Sequence, residues 1–450
     1  MNNRDALTRK QTMMRQLEQD YSCTMCTAKW LQSTITLHNG RTHSCCHSPS
    51  HKIPLDELAK SPSALHNTSF KKQVRAQLLA GEKPADCNYC WDVEAMSDNL
   101  SARYYRSTNT EWSQPYLSRL ADEDVVPSYI EVAFDSTCNF KCAYCGPDLS
   151  SKWMEEIEQY GAYPTSWQNN DLDQLRNNGR FPIPHREANP YIEAFWQWFP
   201  TVRDKLRVFR ITGGEPLLSK HTWRVIDDLL ANPPSNLTFA INTNMGVPDG
   251  LIDRLITNYQ RLAPKLRQFQ LYTSCEAIGR QAEYIRFGMD YDKFIGNVRR
   301  FLTETHGSVC FMMTVNALSL STFDQFLQLV YDLRCEFNTS TSINRVPMSV
   351  NILRWPVFQD VRVVPQPLRL AAAERCRAVI EARTLLTSPD PMGRFYLEEI
   401  DQIEQLIRYL QDDLPELQRA RDDFAAFFKE YDRRRHTDFA TTFPDLAALL

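Results

Sequence analysis

The sequence predicts an α/β protein built around a parallel β-sheet. Six short runs of apolar and β-branched residues alternate with segments in which apolar residues recur at helical spacing, and strands that alternate with helices pair in parallel. The 450 residues are 43% hydrophobic and 24% charged, which is the composition of an ordinary folded protein. The sheet is expected to be open or curled into a partial barrel, with the functional site at the carboxyl ends of its strands.

The predicted strands fill the middle of the chain, at residues 129–134, 207–212, 237–242, 268–273, 309–315 and 348–353. The clearest helix between them is HTWRVIDDLLANPP, whose apolar spacing ends at a Pro-Pro pair. About sixty residues lie between Cys145 and the second strand, and because structureless loops of that length are uncommon, helices and a lid-like insertion are expected there. Only helical patterns follow residue 355, which predicts a helical C-terminal extension, although a separate helical bundle fits the pattern equally well.

The charge balance argues against some classes of function. The chain has 51 Lys and Arg residues against 55 Asp and Glu residues, a net charge of −4, so no global positive field attracts nucleic acid or an anionic membrane. The first residues lack the apolar core of a signal peptide, and no run of about 18 apolar residues occurs. We therefore expect a cytoplasmic protein that neither spans a membrane nor binds nucleic acid.

The thirteen cysteines are the most informative residues. An odd number of cysteines in a chain without a signal peptide favours metal binding or catalysis over a disulfide framework. Three of them, in STCNFKCAYCGP, directly follow the first predicted strand: Cys138, Cys142 and Cys145. Thiolates are the preferred ligands of iron–sulfur clusters, and three ligands would leave one iron of a 4Fe–4S cube open for a substrate or cofactor. A structural zinc site is the alternative, but it would need a fourth Cys or His nearby.

The CxxxCxxC spacing, with Tyr144 before the last cysteine and the loop at the end of the first strand, resembles the radical S-adenosylmethionine (SAM) superfamily. The resemblance implies a partial (β/α)6 barrel of the radical SAM type over residues 125–355, with a SAM-binding 4Fe–4S cluster on the three cysteines. It also implies an electron donor such as flavodoxin or ferredoxin, whose electron cleaves SAM to methionine and a 5′-deoxyadenosyl radical. That radical abstracts a hydrogen atom from the substrate.

A second feature agrees with this resemblance. The second strand runs into a segment similar to the GGEP motif that contacts the methionyl amine of SAM in the family: Gly213, Gly214, Glu215 and Pro216. Two glycines allow a close approach of the backbone, and a carboxylate suits an ammonium group. On its own, the segment would be equally well explained as a turn with a solvated glutamate.

The later strand ends match the family more weakly. Asn244 follows the third strand, where relatives often have a TNG-like turn. Ser274 and Glu276 follow the fourth strand, where relatives have an S-x-D stretch that faces the SAM ribose. The resemblance implies that Asn244 and Ser274 contact SAM, whereas Glu276 replaces the usual Asp. Simple capping of strand ends by polar residues is the alternative in each case.

Residues 1–95 contain a second set of cysteines. Cys26, Cys45, Cys87 and Cys90 could form a closed four-thiolate site, and CNYCW has the spacing of iron–sulfur or zinc knuckles. The pattern C-x13-G-x4-C through Gly40 resembles the twitch and SPASM modules, which carry auxiliary 4Fe–4S clusters. It selects Cys26 over Cys23, and Cys23 and Cys46 are then spare thiols. These modules usually follow the radical domain, whereas this one precedes it, and a structural zinc knuckle stays open as the alternative.

Cys275 is a candidate catalytic residue. It follows Ser274 at a strand end that should face SAM, and epimerising relatives use a cysteine thiol to return a hydrogen atom to the substrate radical. The stronger alternative is that strand alternation points Cys275 into the sheet–helix layer, where free cysteine is a common small core residue.

We expect a radical SAM enzyme that modifies a peptide or small-molecule substrate. A zinc-stabilised non-catalytic binding protein and a radical SAM enzyme acting on RNA are the other possibilities.

Overall fold

The computed structural model describes residues 3–96, 101–120, 124–167, 170–184 and 186–450. Its strands are β1 Gln32–Thr36, β2 Arg41–His43, β3 His51–Lys52, β4 Tyr129–Ala133, β5 Lys141–Cys142, β6 Val208–Thr212, β7 Thr238–Asn242, β8 Gln268–Thr273, β9 Arg286–Phe287, β10 Val309–Val315 and β11 Met348–Ile352. Nine of them form one sheet in the order β11-β10-β8-β7-β6-β4-β1-β2-β3, and β5 pairs with β9 in a separate two-stranded ladder.

The six predicted strands are confirmed as β4, β6, β7, β8, β10 and β11. They lie side by side in chain order, and every pair among them is parallel. The α/β class with a large parallel sheet is therefore correct. The edges of the sheet are β11 and β3, and within the described ranges no strand pairing joins these two edges. The curvature of a partial barrel stays a prediction.

Three strands that the sequence did not predict extend the sheet beyond β4. β1 runs parallel to β4, with Ile35 opposite Val132, and β2 and β3 continue from it as antiparallel strands. These strands are two to five residues long and mostly polar, so their periodicity is too weak to identify. Because β1 pairs with β4, the cysteine-rich N-terminal region is joined to the parallel sheet by main-chain hydrogen bonds.

The helices account for the rest of the regular structure: α1 Asn3–Asp20, α2 Ala28–Leu31, α3 Leu55–Lys60, α4 Ser69–Leu79, α5 Asn88–Met96, α6 Ala102–Ser107, α7 Thr110–Leu117, α8 Ser151–Tyr160, α9 Leu172–Asn177, α10 Pro190–Val202, α11 Lys220–Ala231, α12 Asp249–Leu262, α13 Gly279–Ile285, α14 Tyr291–Glu304, α15 Phe323–Phe337, α16 Gln366–Glu381, α17 Leu397–Tyr409, α18 Leu417–Arg435 and α19 Phe439–Thr442. The long first crossover contains α8 to α10, and α16 to α19 follow residue 355, as predicted. No described helix is both long enough and apolar enough to cross a membrane.

Helix α11 illustrates how the sequence dictates these elements. Ser219 caps its first turn by accepting a hydrogen bond from the backbone N–H of His221. The buried face carries Trp223, Ile226 and Leu229 at helical spacing. The helix ends before the Pro-Pro pair, which lacks the N–H groups needed to continue it.

The two faces of the parallel sheet differ sharply in polarity. One face is apolar and fully buried beneath the helices, through residues such as Ile130, Phe209, Phe239 and Leu271. The opposite face carries half-buried, mostly polar side chains: Tyr129, Glu131, Arg210, Thr212, Asn242, Gln270, Tyr272 and Met312. Both faces of a parallel sheet are normally covered by helices. The half-buried polar face therefore marks the side on which the sheet is open to a ligand.

Candidate functional site

The loop after β4 gathers Cys138, Cys142 and Cys145. The backbone N–H of Cys145 donates to the carbonyl of Cys142 at 3.0 Å, and the backbone N–H of Phe140 donates to Sγ of Cys138 at 3.4 Å. Burial, with the neighbouring Cys142 sulfur as the next cause, raises the pKa of Cys138 to about 12. Burial raises the pKa of Cys145 well above its usual range, and the other two sulfurs add to this effect. The three thiols therefore lie close enough to oppose each other's ionisation, which a bound cation would reverse.

Side chains from distant elements hold the carbonyl groups of this loop. Helix α8 and the C-terminal extension supply the donors: Ser150 to Phe140 at 2.7 Å, Trp153 to Cys142 at 2.8 Å, Gln359 to Ala143 at 3.0 Å and Arg435 to Lys141 at 2.6 Å. The extension predicted after residue 355 is therefore part of the site's support.

A buried polar network adjoins Cys142. Tyr144 donates from its hydroxyl to Glu276 at 3.2 Å, and Arg286 donates to the Tyr144 hydroxyl and, at 2.7 Å, to Glu276. Arg286 Nη1 also lies 3.9 Å from Sγ of Cys142. The carboxylate of Glu276 is thus engaged by an internal cation. Sequence reasoning missed Arg286, because nothing in the local pattern of β9 marks it.

Glu215 of the GGEP-like segment is only 1% exposed. Its carboxylate accepts hydrogen bonds from the backbone of Leu217 at 2.9 Å, the Thr243 hydroxyl at 2.8 Å and the backbone of Asn244 at 2.6 Å. Burial raises the pKa of Glu215 to about 7, and among the described residues no cation pairs with it. A buried carboxylate with only neutral donors is suited to receive an ammonium group, since that cation would offset the cost of ionisation.

Gly213 and Gly214 pack against the backbone of the cysteine loop. A Cβ atom would lie 2.8 Å from the carbonyl oxygen of Asp135 at Gly213, and 2.3 Å from that of Thr137 at Gly214. Gly213 also has a φ of +118°, which favours glycine. The close backbone approach expected of these glycines therefore occurs toward the cysteine loop. Pro216 is buried and begins a short 3-10 turn.

The other sequence-predicted contacts occupy different surroundings. Asn244 donates to the side chain of Asn139 at 2.9 Å and accepts from the backbone of Gly246, so it ties the turn after β7 to the cysteine loop. Ser274 is half-buried at the end of β8. Cys275 is fully buried in the hydrophobic core, its thiol donates to the carbonyl of Ala277 at 3.2 Å, and burial raises its pKa to about 12.

The N-terminal region brings Cys26, Cys45, Cys87 and Cys90 to the wall of one small cavity of about 20 Å³. Burial raises the pKa of Cys26 to about 12 and that of Cys87 to about 11. Neighbouring sulfurs add to the shift at Cys26. These four residues are the set predicted from the sequence.

The two spare thiols lie outside the cavity wall. Cys23 is exposed, with its sulfur 3.8 Å from the carbonyl of Gly81. Cys46 is exposed as well, and its hydrogen bond to Cys45 lowers the pKa of Cys45. His47 lines the cavity and stacks on Tyr89, with 3.8 Å between ring centroids, so it belongs to the wall of the site.

Lys29 was not predicted as part of this site. It is buried on the same wall, donates to Ser48 at 2.7 Å and forms an ion pair with Asp86. Although burial acts against the charged form, Cys87 and Asp86 raise the pKa of Lys29. The cavity wall therefore carries the Lys29–Asp86 ion pair beside the four thiols.

The sequence-predicted donors at both sites are thiols, which bind iron–sulfur clusters and zinc alike. Within the described ranges, no group of three or more His, Cys, Asp or Glu side chains lies close enough together to hold a metal ion. The thiols are therefore grouped around each site but do not converge on one point.

A larger cavity of about 440 Å³ also adjoins the cysteine loop. Its wall includes Asp135 and Thr137 of that loop, Ser219 and His221 after the GGEP-like segment, and His38 after β1. No sequence motif indicated this cavity, because it depends on β1 lying beside β4.

In comparisons with known proteins, the chain matches no family model, and the search of curated proteins found no significant match.

Proposed function

We propose that the protein is a radical SAM enzyme that modifies a peptide or small-molecule substrate with the help of an auxiliary cluster. The observation that carries the proposal is the meeting of two independent features at one end of the sheet. The three-cysteine loop and Glu215 come from different strands, and the backbone N–H of Glu215 donates to the carbonyl of Thr137 at 2.7 Å. A ligand with an ammonium group would thus meet the Glu215 carboxylate beside three potential sulfur ligands.

Each residue of this site would have a separate role. Cys138, Cys142 and Cys145 would hold three irons of the cluster and leave the fourth for the amino and carboxylate groups of SAM. Glu215 would accept a hydrogen bond from that amino group and take up the proton that the ammonium form of SAM must release to bind iron. When bound there, a 4Fe–4S cluster supplies the electron that cleaves SAM to methionine and a 5′-deoxyadenosyl radical, and a donor such as flavodoxin or ferredoxin provides that electron.

The polar face of the sheet would receive the substrate. Arg210 lies at its centre, where it donates to Asn242 at 2.8 Å and stacks over the Tyr272 ring at 4.2 Å. These side chains line the face just before Gly213, so a substrate on this face would extend toward the SAM site. Cys26, Cys45, Cys87 and Cys90 would hold the auxiliary 4Fe–4S cluster, with Lys29 offsetting part of its negative charge.

The test is purification without oxygen, followed by quantification of iron, sulfide and zinc, then reduction with SAM and assay for 5′-deoxyadenosine. We expect about eight irons per chain, since each site would hold four, and SAM cleavage that depends on the reductant. A variant with Ala at Cys138, Cys142 and Cys145 should lose cleavage, whereas Cys335→Ala, which changes a cysteine remote from both sites, should retain it. Zinc without iron would contradict the proposal and favour the zinc-stabilised binding protein.

A further inference from the structure

We propose that a further cavity binds a carboxylate of a peptide substrate through Arg106. This cavity lies between the auxiliary cysteines and the end of the polar sheet face at which β4 begins. It has a volume of about 280 Å³, close to the lower end of the range of ligand pockets. Arg106 lines both this cavity and the cavity of the auxiliary cysteines, so the two spaces adjoin. The inference rests on the proposed function for the role of the peptide, but not for the binding itself.

Arg106 is a half-buried cation on the wall of this cavity. Among the described residues, its guanidinium forms neither an ion pair nor a side-chain hydrogen bond, unlike the neighbouring Arg103, which pairs with Glu94 and Glu18. The described wall of the cavity contains no Asp or Glu side chain. A guanidinium presents paired donors that match the geometry of a carboxylate.

The rest of the wall suits an amphipathic organic group. Trp112 and Tyr105 provide aromatic surface, and Asn109 is a further polar side chain on the wall. Lys10 lies over the Tyr105 ring, 4.1 Å from its centroid, and adds a second positive charge near the rim. The cavity therefore combines positive charge with aromatic faces, which favours an anion attached to an apolar or peptide group.

The position of the cavity favours a peptide over a small molecule. The Trp112 ring lies 5.9 Å from the ring of Tyr129, which begins β4 on the polar face. Asp135, just before the cysteine loop, is six residues further along the chain, and at about 3.3 Å per residue the separation is about 20 Å. A small molecule held by Arg106 could not reach the SAM site, whereas an extended segment of about six residues could.

The experiment measures binding to the whole protein by fluorine NMR, without SAM or turnover. The probes are 4-fluorobenzoate, its neutral analogue 4-fluorobenzamide and its cationic analogue 4-fluorobenzylamine. We expect the benzoate to bind at least tenfold more tightly than the other two. Arg106→Gln should remove that preference, Arg106→Lys should retain part of it, and Arg408→Gln, at an exposed arginine on α17, should have no effect.

Three results would overturn the proposal. The first is equal binding of the benzamide and the benzoate. The second is benzoate binding that is unchanged in both Arg106→Gln and Arg106→Lys. The third is binding of inorganic phosphate at Arg106 without binding of the benzoate. A second pair of probes distinguishes the source of the carboxylate: acetyl-Ala-(4-fluoro)Phe with a free carboxyl terminus, and the corresponding amide extended by Asp. Tighter binding of the first assigns a chain terminus, and tighter binding of the second assigns an acidic side chain. Because SAM cleavage is not measured, a failure here is separate from a failure of the proposed function.

Discussion

Arg286 and Cys142 are directly paired in the β5–β9 ladder, and Nη1 of Arg286 lies 3.9 Å from the Cys142 sulfur. Nε of Arg286 is buried and has no hydrogen-bond partner among the described residues. A buried guanidinium beside a ligating thiolate stabilises the more negative, reduced state of a cluster, because hydrogen bonds and charge near the sulfurs set its potential.

We therefore predict that removing this charge lowers the midpoint potential of the cluster proposed to bind at Cys138, Cys142 and Cys145. Arg286 also neutralises Glu276, so the informative variant is Arg286→Gln combined with Glu276→Gln, with Glu276→Gln alone as the control. The potential is followed by EPR during a redox titration, in a background without Cys26 and Cys45. The double variant should have a lower potential than Glu276→Gln alone, and equal potentials in these two variants would show that Arg286 supports the loop only structurally.

The raised pKa of Glu215 predicts a pH dependence of SAM binding. Because its pKa of about 7 exceeds the usual value of 4.5, the free protein carries a proton there below neutral pH, and an incoming ammonium must displace it. SAM affinity should therefore fall about tenfold between pH 8 and pH 6. Glu215→Gln should bind SAM weakly at both pH values while keeping its iron. Equilibrium dialysis at the two pH values checks this, and a pH dependence that survives in Glu215→Gln would assign it to another group.

The same shift predicts the sign of a stability effect. The folded protein binds the Glu215 proton more tightly than the unfolded chain, so the contribution of this group to stability is present below pH 4.5 and is lost as the pH rises through about 7. Urea unfolding of the metal-free protein, compared with that of Glu215→Gln, isolates the contribution of the Glu215 proton to the free energy of unfolding. From pH 5 to pH 8, the free energy of unfolding of Glu215→Gln should rise relative to that of the unchanged protein.

The auxiliary site predicts a distinction between two nearby cysteines. Cys26 lines the cavity with three other thiols, whereas the sulfur of Cys23 faces the carbonyl of Gly81. In a protein without Cys138, Cys142 and Cys145, we expect about four irons per chain, an unchanged content after Cys23→Ala and a large loss after Cys26→Ala. Iron analysis and visible absorption measure the iron content of each variant. The opposite pattern would show that Cys23 is the ligand.

The sequence predicted the six parallel strands because each is a short run of apolar and β-branched residues, as in VFRIT and TFAIN. It predicted the four cavity cysteines from their spacing and its resemblance to twitch and SPASM modules. It did not predict β1, since QSTIT carries little periodicity and depends on pairing with β4. Arg286 and Arg435 were missed for a related reason: each contacts the cysteine loop from more than a hundred residues away along the chain, and such contacts leave no local pattern.

Cys275 gives a prediction that separates packing from catalysis. Its thiol is fully buried and donates to Ala277, so we expect Cys275→Ala to retain cleavage of SAM and to lose about 1 kcal/mol of stability. With the true substrate, a hydrogen-donor role requires that 5′-deoxyadenosine continues to form while the product does not. Normal product formation by Cys275→Ala would eliminate that role.

The buried ion pair between Arg435 and Glu156 predicts that the C-terminal extension is required for the stability of the cysteine loop. Arg435 is fully buried, contacts both oxygens of Glu156 at 3.0 and 3.1 Å, and donates to Lys141 of the loop. Arg435→Ala removes one of the two cations that pair with the buried Glu156 carboxylate and leaves Lys141 as the other, so we expect a cost at the lower end of the about 3–5 kcal/mol typical of a broken buried ion pair. Arg433, on the same helix, pairs with Glu430 at the surface, and Arg433→Ala should cost less than about 1 kcal/mol. Urea unfolding of the metal-free variants measures both values, and equal effects would mean that the extension does not support the loop through this pair.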